Sequence, residues 1–108
     1  MLVQEFLEQS AQRLPDKVAV VCGDERLTYA EVESRANRLA QALIEHGFQR
    51  GERAVLFLPN SLELVISIFG VLKAGGVFVV IHPSTKPEKL EYILLNCSAK
   101  VLFAETQQ

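Results

Sequence analysis

From Leu62 to Ile81 only Glu63, Ser67 and Lys73 are polar, and the run is divided by Gly75-Gly76. The first half has helical length and is apolar nearly all the way round: Leu62, Leu64, Val65, Ile66, Ile68, Phe69, Val71 and Leu72 leave no broad polar face. Such a helix belongs between layers of protein rather than on a surface. Each large side chain left exposed would forgo about 1.5–3 kcal/mol of burial. The glycine pair stops the helix in a tight turn. Val77 to Ile81 then reads as a strand without polar alternation, the pattern of a strand covered on both faces. Either the helix packs between two layers of this chain, or it contacts something outside it.

The flanking sequence extends the same alternation. Residues 2–14 read as an amphipathic helix, with Val3, Leu7 and Leu14 on one stripe and Leu2, Phe6 and Ala11 beside it. Pro15-Asp16 ends it. Lys17 to Cys22 reads as a buried strand, Gly23-Asp24-Glu25 as a turn, and Arg26-Leu27-Thr28 as a short returning strand. Thr28 followed by Glu31 is a capping box. The helix it opens buries Val32, Ala36, Leu39, Ala40, Leu43 and Ile44, turns Glu31, Glu33, Arg35, Arg38, Gln41 and Glu45 to water, and stops at Gly47. Arg53 to Leu58 is a strand ended by Pro59, and Asn60 or Ser61 caps the apolar helix. Thr85 and Glu88 form a second box, with Pro87 in the first turn of a helix that ends near Asn96. Lys100 to Phe103 is a last strand. Strand, helix, strand, helix, strand with short connections predicts a parallel sheet with right-handed crossovers. The expected class is α/β: a layered, mostly parallel sheet with helices on both faces, as one domain over residues 1–108.

Charge and composition exclude several functions. The 108 residues carry a net charge of −2 with both signs scattered, so no basic stripe points to nucleic acid. With 49% hydrophobic and 22% charged residues, the composition is globular. The longest apolar stretch is far short of the roughly 20 residues needed to cross a bilayer, and the first residues do not read as a signal peptide. The expectation is a cytoplasmic protein with no membrane partner. Cys22 and Cys97 lie in no Cys-x-x-Cys pair and at no metal-ligand spacing from a histidine, so no metal site is expected.

Signals for chemistry are sparse. No Gly-x-Gly-x-x-Gly or Gly-x-x-x-x-Gly-Lys-Ser/Thr is present, and Gly75-Gly76 precedes a strand whereas phosphate cradles precede a helix. Asn60-Ser61 and the segment from His82 to Lys86 each follow the carboxyl end of a strand, where open parallel sheets bind ligands. His82 is the titratable residue best placed for a substrate rim. No catalytic residue is assigned.

Leu27-Thr28-Tyr29-Ala30-Glu31-Val32 resembles the first core motif of the adenylate-forming enzymes, and Leu72-Lys73-Ala74-Gly75-Gly76 through His82-Pro83 resembles the second. Pro15 to Val20 and Lys89 to Leu94 fit the same family, which includes acyl-CoA synthetases, luciferases and peptide-synthetase adenylation domains. Val80 stands where the family usually has proline, and His82 where it has Asp or Asn. With Thr85 to Lys89, these departures look closer to free-standing acyl or aryl ligases. The resemblance implies the N-terminal portion of a larger adenylation domain. Family members use ATP and Mg²⁺ to make an acyl-adenylate and pass the acyl group to a thiol. Their phosphate loop, acyl pocket and mobile lysine fall beyond residue 108 of this pattern. It implies a bracing role without catalysis, with Ser84 and Lys86 as a rim for the thiol donor. The expected partner is the remainder of the enzyme, or a second copy through the 61–74 helix. A non-catalytic interaction module derived from the family is the alternative.

Overall fold

The computed structural model describes residues 2–104; residue 1 and residues 105–108 of the expected domain lie outside them. The chain runs α1 (Val3–Arg13), β1 (Val18–Cys22), β2 (Glu25–Thr28), α2 (Tyr29–Glu45), β3 (Arg53–Phe57), α3 (Leu62–Lys73), β4 (Val77–Ile81), α4 (Pro87–Cys97) and β5 (Val101–Ala104). β1 and β2 form an antiparallel hairpin with an irregularity between Val18 and Val20. The other three strands form a parallel sheet in the order β4-β3-β5.

That order fixes where the helices lie. The crossover through α3 leaves β3 toward one edge, and the crossover through α4 runs back across to the other. Right-handed crossovers in opposite directions put their helices on opposite faces. Leu64, Ile68 and Val71 of α3 share a cluster with Ala54, Leu56 and Phe78, so α3 covers that face. Val55 points to the other face and is fully buried, where α4 lies. The layered α/β architecture with helices on both faces is therefore present.

Two apolar clusters meet at α3. One joins the sheet to Ala40 and Leu43 of α2, Leu64 and Val71 of α3, and Phe48. The other joins Leu7, Leu27, Val32, Ala36 and Leu62, with Val65, Ile66 and Phe69 packed against it. None of the large apolar side chains of α3 is exposed. Of the two alternatives for this helix, packing between layers is the one realised. Its end uses the two glycines differently. Gly75 takes the left-handed conformation at φ 82°, whereas a Cβ at Gly76 would stand 2.5 Å from the Phe48 ring.

Four expectations change. β4 is an edge strand: Val77 and Val80 are 47% and 45% exposed, because β3 flanks it on one side only. Ile44 is half exposed at the end of α2, while Glu33, expected in water, is largely buried against Lys73. The Thr85/Glu88 capping box does not form. The helix starts one residue later, with Lys86 at the N-cap and no side-chain cap. In α1 the stripe that faces the protein is Gln4, Leu7, Glu8 and Ala11, and only Leu7 is buried; Leu2, Val3, Phe6 and Leu14 are exposed. The Thr28/Glu31 box does form: Thr28 N donates to Glu31 Oε1 at 2.9 Å, and Glu31 N donates to Thr28 Oγ1 at 3.2 Å.

Candidate functional site

The two crossovers leave adjacent strands toward opposite faces, which makes a switch point between the carboxyl ends of β3 and β4. Ligands bind at such points in open parallel sheets. Phe57 lies opposite Ile81, so the chain leaves both strands at one level. Leu58-Pro59-Asn60-Ser61 leaves β3 there, and His82-Pro83-Ser84-Thr85-Lys86 leaves β4. The residues singled out in the sequence thus come together as two neighbouring loops.

The first loop is tightly closed. Pro59 ends β3, and the Ser61 hydroxyl donates to its carbonyl at 2.9 Å. The same Oγ accepts from Leu64 N at 3.2 Å, so the N-terminus of α3 is capped from within. The Cys22 thiol, at the end of the hairpin, lies 3.8 Å from the Asn60 carbonyl. A cleft of about 280 Å³ beside it is lined by Val21, Cys22, Asn60, Ser61 and Leu64. The sequence offered no sign that the hairpin reaches this loop.

The second loop is a turn built on His82. Thr85 N donates to the His82 carbonyl at 3.0 Å, and Pro83 supplies the fixed φ that such a turn favours. Ser84 N donates to His82 Nδ1 at 3.1 Å, and Ser84 Oγ lies 2.8 Å from the same nitrogen. A backbone amide can only donate, so Nδ1 is the acceptor and the proton of the neutral ring sits on Nε2. The imidazole here does what an Asp or Asn side chain does in an Asx-turn. Ser84 and Lys86 are exposed. The Lys86 carbonyl accepts from Leu90 N at 3.0 Å, and its ammonium forms no ion pair among the described residues. Pro87 at the start of α4 removes an N–H from that helix end.

Elsewhere, His46 Nδ1 sits 2.8 Å from the Ala42 carbonyl at the end of α2. Cys22 and Cys97 are free. Among the described residues no group of three or more His, Cys, Asp or Glu side chains could hold a metal ion, and no helix is long and apolar enough to cross a membrane. The feature that sequence reasoning missed is Lys73. Its side chain is only 6% exposed, 3.1 Å from Glu8 Oε1 and in direct contact with Glu33 Oε1. The Glu33 contact is an ion pair without hydrogen-bond geometry, and that oxygen has no other partner. No local spacing in the sequence joins these three residues.

Comparisons with known proteins agree with this architecture. The pattern of the AMP-binding enzyme family matches residues 7–108. A medium/long-chain-fatty-acid–CoA/3-oxocholest-4-en-26-oate–CoA ligase of Mycobacterium marinum is 36% identical over 105 residues, covering 97% of this chain and 19% of the relative. Bacitracin synthase 1 of Bacillus licheniformis is 39% identical over 100 residues, covering 93% of this chain and 2% of the synthase. Among solved structures, VinN with L-aspartate superposes with a TM-score of 0.95 at 29% identity, over 99% of this chain and 30% of VinN. The chain thus spans about a fifth of the ligase and far less of the synthase. Matched from inside α1 to its last residue, the chain belongs to the AMP-binding enzyme family.

Proposed function

We propose that residues 1–108 are the N-terminal portion of an adenylation domain in a cytoplasmic, ATP-dependent acyl-adenylate-forming ligase, and that this portion braces the nucleotide-binding remainder without catalysing the reaction itself. One observation carries the non-catalytic part. Neither loop at the switch point carries a glycine-rich phosphate cradle, and the N-terminus of α3 is capped by its own Ser61 Oγ. Helix N-termini hold phosphate through free N–H groups, and acyl adenylation needs preorganised charge around the departing pyrophosphate, with Mg²⁺. In this reading ATP and Mg²⁺ belong to the remainder of the enzyme. His82 lies on the substrate rim, and Ser84 and the exposed Lys86 on the side of the thiol donor.

The contact with that remainder falls on β4 and α4 rather than on α3. The α3 side chains are covered within the chain, whereas Val77, Val80, Tyr92 and Leu95 are exposed. A pyrophosphate-release assay with ATP, Mg²⁺ and a panel of fatty, aryl and amino acids tests the reading. The 108-residue chain is expected to stay at background. Turnover above background with any acid overturns it.

A further inference from the structure

We propose that α1 is an electrostatically latched strap, anchored on the fold by Leu7 alone among its apolar residues, locked to α2 and α3 by Lys73, and able to detach as a unit while the rest of the fold stays intact. The proposal concerns the fold and stands independently of the catalytic reading.

The stripe by which α1 docks is half polar. Of Gln4, Leu7, Glu8 and Ala11, only Leu7 is buried. The polar members make the specific contacts. Gln4 Nε2 donates to the Leu72 carbonyl at 3.4 Å, and Glu8 Oε1 lies 3.1 Å from Lys73 Nζ. Lys73 stands in the last turn of α3 and draws one carboxylate from α1 and one from α2, so a single ammonium ties three helices. This is the lysine of the second sequence motif, and the latch gives it a task within the fold.

The two carboxylates differ in their access to solvent. Glu33 is 20% exposed and Glu8 is 45% exposed. Salt screens a half-exposed pair far more than a buried one. The arm that holds α1 is thus the weaker arm of the latch. The hinge is also defined. Leu14 leaves the helix, and the next residues are pinned to the start of α2 by Tyr29 N to the Lys17 carbonyl at 2.9 Å and Ala30 N to the Pro15 carbonyl at 3.1 Å. Detachment therefore stops at Leu14 and leaves the hairpin in place. It opens the apolar slot that Phe6 and Leu7 share with Val20, Tyr29, Val65 and Phe69.

Hydrogen exchange on the 108-residue chain, read segment by segment at about 0.1 M and about 1 M sodium chloride, tests this, because the Debye length falls from about 10 Å to about 3 Å over that range. The expected result is that α1 amides exchange roughly three- to five-fold faster at high salt while β3 amides keep their rate. In Glu8→Gln, α1 should exchange fast at both salts and lose its salt response. Protection of α1 that ignores salt in the wild-type chain overturns the proposal. So does exchange of α1 at the same rate as β3, and so does a salt response unchanged in Glu8→Gln. The wild-type measurement decides the matter even where the variant folds poorly.

Discussion

α3 and α4 are both crossover helices of one parallel sheet, with 12 and 11 residues, yet they live in different surroundings. α3 has a sheet on one side and the hairpin cluster on the other, and it contributes five buried residues. α4 has the sheet on one side only and contributes none; Tyr92 and Leu95 are 67% and 74% exposed. Their ends differ too. Ser61 caps α3 with its own hydroxyl, whereas Lys86 offers α4 nothing. The difference follows from topology. The hairpin packs on the α3 side of the sheet, so only that side is three layers deep.

The largest test of this contrast is a pair of truncations. Leu62→Ala, at a site 3% exposed within the hairpin cluster, should cost about 2–5 kcal/mol. Leu95→Ala should stay within about 0.5 kcal/mol of wild type. Urea unfolding measures both; equal losses would mean that α4 is buried as deeply as α3. A smaller pair addresses the caps. Ser61→Ala should cost about 1 kcal/mol, and Lys86→Asp should gain about 0.5–1 kcal/mol by supplying the acceptor that α4 lacks. Thermal melting reads the two signs, and a loss in Lys86→Asp would show that the present N-cap serves something other than α4.

The smallest effect concerns α2, whose capping box stands between these extremes. The Thr28 backbone N–H, then its hydroxyl, then Arg35 hold the Glu31 carboxyl below the ordinary value of 4.5. A depressed folded value means that the contribution is present above pH 4.5 and is lost as pH falls through the lower, folded value. Glu31→Gln keeps an acceptor at the box without the charge. Below pH 4.5 the wild type should therefore lose stability relative to that variant, by a small margin because Glu31 is fully exposed. Parallel pH profiles would assign the box no electrostatic share.

Where the sequence was informative, short-range chemistry was responsible. Thr28 with Glu31, Gly47, Pro59 with Ser61, and Gly75-Gly76 each mark an element end with a local mechanism, and the structure places the ends there. The apolar run from Leu62 to Ile81 fixed the class of fold because its helix had to be covered from both sides. Part of what could not be read was set by neighbours distant in sequence, and part by competition between local signals. β4 is apolar throughout yet half exposed, since strand order decides whether it is central or at an edge. Thr85 and Glu88 have the spacing of a capping box, but Pro87 takes the first helical position and moves the N-cap to Lys86. Of the candidate site, the two loops were legible from their place after strands. The use of His82 as a turn acceptor and the approach of Cys22 to Asn60 leave no mark in the local sequence pattern.

The central position of β3 also bears on the order in which the molecule can assemble. The hairpin needs only a turn between its strands and can close within its own sequence. β3 must wait for all of α3 before β4 reaches one flank, and for all of α4 before β5 reaches the other. Contacts between distant residues form late because the loop that joins them must close first. On a ribosome, β3 would emerge with both flanks bare, gain its first neighbour when β4 appears, and be enclosed only once β5 has been made. Until then Val55 and Leu56, fully covered in the finished fold, are the side chains most exposed to a wrong encounter.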